Sequence, residues 1–291
     1  MATLSTLQKE LEFNTDLVAL LNVMKGIAAS RFQALQKRKE RFKKFVNSFQ
    51  GFFELIDFSA VEHPFGRAVA KRAGVIMVTS DEGFMGGLNS HVINAALAER
   101  KNETELITLG ERGSAYLKGM GEKFVPFPGV TEENKYELAL KLKEYIMKQS
   151  KEGKLDKVTL FYPMPVSFTF QKVEMIKVLP ATELFEGQKV ADSLNAERHA
   201  LYAEKVIIES SIEAIIEHLV GEWITQKLYE VFEDSKLSEF AARTVNLEQS
   251  HQNLSQAREA LRYKYFRAKH SFVDRGMRET FASQLLRKKE S

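Results

Sequence analysis

The chain has 291 residues and 44% hydrophobic content, enough to bury a sizeable core in one large or two small domains and too apolar for a disordered segment. With 42 Lys and Arg against 39 Asp and Glu the net charge is +3, so the chain as a whole does not select nucleic acid or an anionic membrane, and any basic surface must be local. The absence of cysteine excludes disulfides, thiol nucleophiles and cysteine-based zinc sites, in keeping with a cytosolic protein, and no apolar run approaches the roughly 18 residues of a membrane helix. The start, MATLSTLQKELEF, has no signal-peptide apolar core.

The first element is expected to be a helix from about Leu4 to Phe58. Steps of three and four residues from Leu4 give Leu4, Leu7, Leu11, Asn14, Val18, Leu21, Lys25, Ala28, Phe32, Leu35, Lys39, Phe42, Val46, Phe49, Phe53 and Ile56, of which 13 are apolar. A single helix cannot bury such a seam and needs a partner. Next comes the turn-rich stretch VEHPFGRAVAKRAG, punctuated by Pro64, Gly66 and Gly74. Strand and helix then alternate. The reading is a buried strand over Gly74–Thr79, a Gly-rich loop, a helix over Leu88–Arg100, a strand over Glu105–Leu109 and a short helix over Arg112–Lys118. A third strand is expected over Lys123–Phe127, where Pro126 implies a sheet edge. A helix over Glu132–Glu152 is capped by Gly153, and strands over Lys157–Tyr162 and Gln171–Val178 follow, joined through Pro163 and Pro165.

This alternation implies a largely parallel sheet with an antiparallel edge. A polar connector runs from Pro180 to about Arg198. The rest is helical, as a segment over Lys205–Glu233 and a second from Leu237 onward. The same spacing from Leu237 gives Phe240, Thr244, Leu247, His251, Leu254, Arg258, Leu261, Tyr265, Ala268, Phe272, Arg275, Glu279, Ala282 and Leu286, so that ten of the fifteen positions are apolar. The expected fold class is therefore α/β, a long antiparallel coiled coil of N- and C-terminal helices with an inserted small Rossmann-like α/β domain. The boundaries implied are 1–60 for the N-terminal coiled-coil helix, 61–198 for the inserted domain with its connector, and 199–291 for the C-terminal helices.

The loop from Ser80 to Asn89 is the most distinctive local motif. A Gly-rich turn between a strand and a helix would place backbone amides around a phosphate, yet this one is neither G-x-G-x-x-G nor a Walker A sequence, and Asp81 and Glu82 would repel an anion. A structural turn or a partner contact is the better reading. The six histidines, His63, His91, His199, His218, His251 and His270, form no ligand pair, and no catalytic triad can be ordered, so no metal, cofactor or catalytic residue is expected. His251 in the seam reads as structural, and the many carboxylates as solvated helix faces.

Two features exceed what a plain coil requires. Arg31 to Lys44 holds Arg31, Lys37, Arg38, Lys39, Arg41, Lys43 and Lys44 against the one acid Glu40, either a solvated face or a basic collar for an acidic partner or nucleic acid. Leu17, Leu20, Met24 and Ile27 form a second apolar stripe beside the seam, and Val273, Met277, Phe281 and Leu285 repeat it near the end of the chain, which calls for an apolar socket in another subunit.

These residues carry a resemblance. Met24-Lys25-Gly26-Ile27-Ala28-Ala29-Ser30-Arg31, Thr79-Ser80-Asp81-Glu82-Gly83-Phe84-Met85-Gly86-Gly87-Leu88-Asn89 and Ser238-Glu239-Phe240-Ala241-Ala242-Arg243, with Asn253 and Tyr265-Phe266-Arg267-Ala268-Lys269 in register behind them, resemble in order the signatures of the gamma subunit of F-type rotary ATP synthases. The resemblance implies a non-catalytic central shaft that couples ion flow to the conformational cycling of catalytic beta subunits. It implies as partners the alpha and beta subunits of the hexameric head, the epsilon subunit and the membrane ring of c subunits, at the cytoplasmic face of the cell membrane, with no span of its own, no nucleic acid and no cofactor. Contacts to the head would fall on Leu17, Leu20, Met24, Lys25, Ile27, Arg31, Lys37, Arg38, Arg41, Arg267, Lys269, Val273, Met277 and Phe281; the motif loop would rest on Ser80, Asp81, Gly83, Gly86, Gly87 and Asn89. Glu82, Met85, Asp274 and Gly276 depart from the family pattern, and Asp16-Leu17 followed by Met24-Lys25 resembles its alternate, sodium-type branch or another divergent branch. Two other readings stand beside this one: a coiled-coil scaffold or nucleic-acid-binding arm using the collar, and a nucleotide-dependent enzyme built on the α/β domain.

Overall fold

The structure, a computed structural model, describes residues 3–53, 72–100, 104–181 and 211–289, and for 39–53, 212 and 285–289 the backbone alone. The elements are α1 (Leu4–Phe53), β1 (Ala73–Val78), α2 (Leu88–Ala98), β2 (Thr104–Leu109), α3 (Glu111–Gly119), β3 (Val125–Phe127), α4 (Lys135–Lys151), β4 (Lys157–Pro165), β5 (Gln171–Leu179) and α5 (Ile212–Lys289). They divide into two compact units, Met1–Ala28 with Thr244–Ser291, and Ala29–Arg243.

The second unit is built on a five-stranded sheet of order β3-β2-β1-β4-β5. Its pairs are parallel except the antiparallel hairpin β4–β5, and Val75 is flanked by Leu106 on one side and Thr159 on the other. Handedness of the crossovers then dictates where the helices lie. The chain steps outward from β1 to β2 to β3 and returns past both to β4, so right-handed connections put α2 and α3 on one face and α4 on the other. The residues of each strand divide accordingly. Val75, Met77 and Leu106 pack with Val92, Ile93 and Ala96 of α2 and Leu117 of α3. Their neighbours Ile76, Val78, Ile107 and Leu109 pack with Leu138, Leu142 and Ile146 of α4. The start of α5 completes that second face through Ile216, Val220, Trp223, Ile224, Leu228 and Phe232.

Several boundaries differ from the sequence reading. α4 begins at Lys135 and not Glu132, because Thr131 and Asn134 exchange hydrogen bonds (2.7 and 3.1 Å) that hold 131–134 as a turn. Gly153, with φ 67°, follows its end as expected. The third strand shortens to Val125–Phe127 and lies at an edge, as Pro126 implied. The expected break between Glu233 and Leu237 is absent: α5 is one helix of 78 residues, and Glu233, Asp234, Ser235 and Ser238 are buried along it. These residues form an internal polar face that the helix carries through the expected break. The expected end of the first helix near Phe58 lies outside the described residues.

The first unit is an antiparallel coiled coil. On α1, Leu4, Leu7, Leu11, Asn14, Leu21 and Lys25 are half-buried and Val18 and Ala28 buried, the positions of the expected seam. On α5, Leu247 is buried and His251, Leu254, Arg258, Leu261, Tyr265 and Ala268 half-buried. Lys25 Nζ meets Glu248 at 2.8 Å and sets the register. Counting back from that pair, Leu4, the first residue of α1, falls level with about Lys269. Phe272, Arg275, Glu279 and Ala282, expected in the seam, are therefore exposed.

Candidate functional site

The motif loop is closed by its own side chains. Thr79 and Ser80 leave β1 fully buried, and the Thr79 hydroxyl donates to the Leu109 carbonyl at 2.5 Å. Asn89 Oδ1 accepts from the Ser80 amide (3.2 Å) while its Nδ2 donates to Ser80 Oγ (2.9 Å), a bracket across the loop. Within it Phe84 and Gly86 take positive φ, 66° and 59°. Asp81 Oδ1 accepts the amide of Glu111 at 2.8 Å, the first residue of α3, which is where a helix N-terminus would receive a bound anion. Gly129 permits this approach, since a Cβ there would sit 2.3 Å from the Asp81 carboxylate.

The outer side of the loop lies on α5. Arg243 Nε donates to the Gly83 carbonyl (3.3 Å), its guanidinium meets Glu82 Oε2 (2.7 Å), and Met85 and Leu88 pack on Ala242. Ser238 Oγ donates to the Pro163 carbonyl at 2.8 Å, just past the β4 residues paired with β1. In open α/β sheets small ligands bind beyond the carboxyl ends of the strands where the strand order reverses. Here that place, between β1 and β4, is taken by the chain's own helix. The loop is a docking element, and a phosphate has no open cradle in it.

The collar is less open than its charge suggests. Arg31 lies with its Cζ 5.7 Å from the Phe240 ring centroid, and Arg38 donates to Glu132 Oε2 (3.0 Å) and to the Tyr229 hydroxyl (3.3 Å). Lys37 is exposed, and the side chain of Arg41 lies outside the described residues. Behind Arg38 sits an ion pair that the sequence reading missed: Lys135, 1% exposed, with Nζ 2.6 Å from Glu233 Oε1 and 3.1 Å from Glu132 Oε2. Carboxylates expected on solvated faces are here internal. Glu239 is also buried, and burial pushes its carboxyl above the usual range against the pull of Lys236 at 2.7 Å. Burial likewise raises the Tyr162 hydroxyl, with Asp234 adding to it.

The second stripe on α1 divides. Leu17 and Met24 are half-buried at the margin of the seam, whereas Leu20 and Ile27 are each 53% exposed. Phe13 and Val23 are exposed with them, and neither was singled out from the sequence, although Phe13, Leu20 and Ile27 recur every seven residues. Lys25 is held by Glu248, whose carboxyl this hydrogen bond, with one from Gln252, keeps below its ordinary range. On α5, Arg267, Lys269, Val273, Met277 and Phe281 are all exposed, together with Phe272.

A family model described as ATP synthase matches residues 3–279. The chain belongs to the ATP synthase gamma family. Among curated relatives, the ATP synthase gamma chain of Desulfitobacterium hafniense is 25% identical over 280 residues, 94% of this chain and 95% of that one. That of Pelotomaculum thermopropionicum is 25% identical over 290 residues, 96% and 97% of the two. Two solved structures share the fold. One, from the rotor of the Euglena gracilis mitochondrial ATP synthase, has a TM-score of 0.66 at 13% identity and covers 93% of this chain and 98% of that one. The other, from the central stalk and c-ring of the Tetrahymena thermophila enzyme, has a TM-score of 0.61 at 20% identity and covers 79% and 99%.

Of the four departures from the gamma-family pattern, two have local partners and a third lies in open space. Glu82 has Arg243 as its counter-ion, Met85 fills the apolar contact with Leu88 and Ala242, and Gly276 stands on the exposed end of α5 with nothing within 4 Å of a Cβ.

Proposed function

We propose that this chain is the non-catalytic central rotor shaft of an F-type ATP synthase, coupling ion flow through a membrane ring to the cycling of catalytic beta subunits. The observation that carries the reading is the first unit, whose helices bury one seam against each other while Leu20 and Ile27 on α1 and, past the level where α1 begins, Val273, Met277 and Phe281 on α5 leave apolar surface open. A two-stranded coil has no use for that surface, and a hexameric head of alpha and beta subunits supplies a sleeve for it. Leu17, Leu20, Met24 and Ile27 with Val273, Met277 and Phe281 then face the sleeve, and Lys37, Arg41, Arg267 and Lys269 its acidic groups. The α/β domain would bind the epsilon subunit and the ring of c subunits. The chain acts at the cytoplasmic face as a peripheral member of a membrane-bound complex; among the described residues no helix is long and apolar enough to cross a membrane.

Affinity purification of the tagged chain from its own cells, read by mass spectrometry, tests this. Two homologous Walker-type ATPase subunits should co-purify, each in threefold excess, and recovery of the chain as a free monomer without them would overturn the reading.

A further inference from the structure

We infer that Arg38 is a positioning residue that fixes the register of α1 against the α/β domain, so that helix and domain turn together; this rests on the rotor reading above. The inference comes from the kinds of contact α1 makes within the second unit. Phe32 meets Phe168 edge-on with ring centroids 4.9 Å apart, and Arg31 lies over Phe240. Ring and apolar contacts bring elements together but resist sliding and twisting weakly, because they lack direction. The guanidinium of Arg38 has direction. It donates to Glu132 Oε2 at 3.0 Å and to the Tyr229 hydroxyl at 3.3 Å, and its Nε stands 3.8 Å from Glu233 Oε1. Glu132 belongs to the turn before α4, and Tyr229 and Glu233 to α5, so one side chain ties α1 to two separate elements.

Its acceptors are themselves immobilised. Glu132 and Glu233 share the buried ammonium of Lys135, at 3.1 and 2.6 Å. The Lys135–Glu233 pair is closed without Arg38, so removing Arg38 leaves α4 and α5 joined and takes from α1 only this directional tie, its contacts at Arg31 and Phe32 remaining. A half-exposed cation outside a complete buried pair is a fastener that the fold does not depend on.

The test uses the assembled complex in inverted membrane vesicles, with ATP hydrolysis and ATP-driven ion uptake measured side by side, protons by a pH-sensitive dye and sodium in a parallel assay. Arg38→Gln should retain hydrolysis while the ions moved per ATP fall below the parent's ratio. Because the chain has no cysteine, Arg38→Cys with Glu132→Cys places a single thiol pair in it, and a short bis-maleimide bridge between them should restore the ratio. An unchanged ratio in Arg38→Gln overturns the inference, as does a lost ratio that the bridge does not restore, because the partner of Arg38 would then lie on another subunit. If Arg38→Gln does not assemble, Glu132→Gln is read in the same way, with a smaller fall expected. Failure of the rotor reading is separately visible, since vesicles with the parent chain would then neither contain the ATPase subunits nor move ions.

Discussion

The side chains that decide this structure are charged groups placed where water does not reach. Lys135 and Glu233 are 98 positions apart and both almost fully buried, which is tolerable only because each neutralises the other at 2.6 Å. No local pattern in the chain announces such a partner, and the carboxylates of α5 therefore read from sequence as a solvated face. Glu239 is the sharpest case for measurement. Burial raises its carboxyl pKa in the folded protein, so the folded state holds that proton more tightly than the unfolded chain does. Its contribution to stability is fully present below the ordinary glutamate range and is lost as pH rises through the raised value. Glu239→Gln cannot ionise and escapes that loss. Thermal unfolding of the two chains should show the variant gaining on the parent as pH rises above the ordinary glutamate range, and a difference independent of pH would mean that Glu239 does not titrate in this way.

Among the elements, strands were legible as short apolar runs bounded by turns, and seams because each repeats a period over several residues. The alternation of Val75, Ile76, Met77 and Val78 between two faces, and the three-four spacing from Leu4 to Ala28, both stand in the structure as the periods require. Ends were less legible, since they depend on single bonds such as the Thr131–Asn134 exchange, and the unbroken α5 carries buried polar residues across the break expected between Glu233 and Leu237. The end of the coil could not be read for another reason: the spacing on α5 continues past the level where α1 begins. From Ser271 to Gln284 that helix is exposed on every side, so helix propensity, and not packing, governs its order. Gly276 lies in the middle of it with open space around its Cα. Gly276→Ala should favour the local helix by about 1 kcal/mol, and amide hydrogen exchange over 272–284 in the free chain should slow by about fivefold, with the sheet of the second unit unaffected.

For the molecule as a whole, the question is what covers the surface that its own pairing leaves open. Phe13, Leu20, Val23 and Ile27 on α1 and, past the level where α1 begins, Phe272, Val273, Met277 and Phe281 on α5 are apolar and exposed in the same unit, two groups of the kind that mark a contact site. The resemblance implies a sleeve over Leu20, Ile27, Val273, Met277 and Phe281 among them, and these side chains are open to a covering partner. A shaft removed from its head should then cover itself, so the purified chain is expected to self-associate in sedimentation velocity at micromolar concentration. Covering one such side chain is worth about 1.5–3 kcal/mol, roughly tenfold or more in an association constant. Ile27→Ser with Phe281→Ser should therefore shift the free chain towards monomer, and because neither residue is buried in the fold, thermal unfolding should stay close to the parent's. The same pair should weaken the grip of the head, measured as the ATPase subunits retained on the tagged chain after a stringent wash. Monomeric behaviour with undiminished retention would place these stripes against something other than the head, and would leave the coil's second surface without the role that the rotor reading gives it.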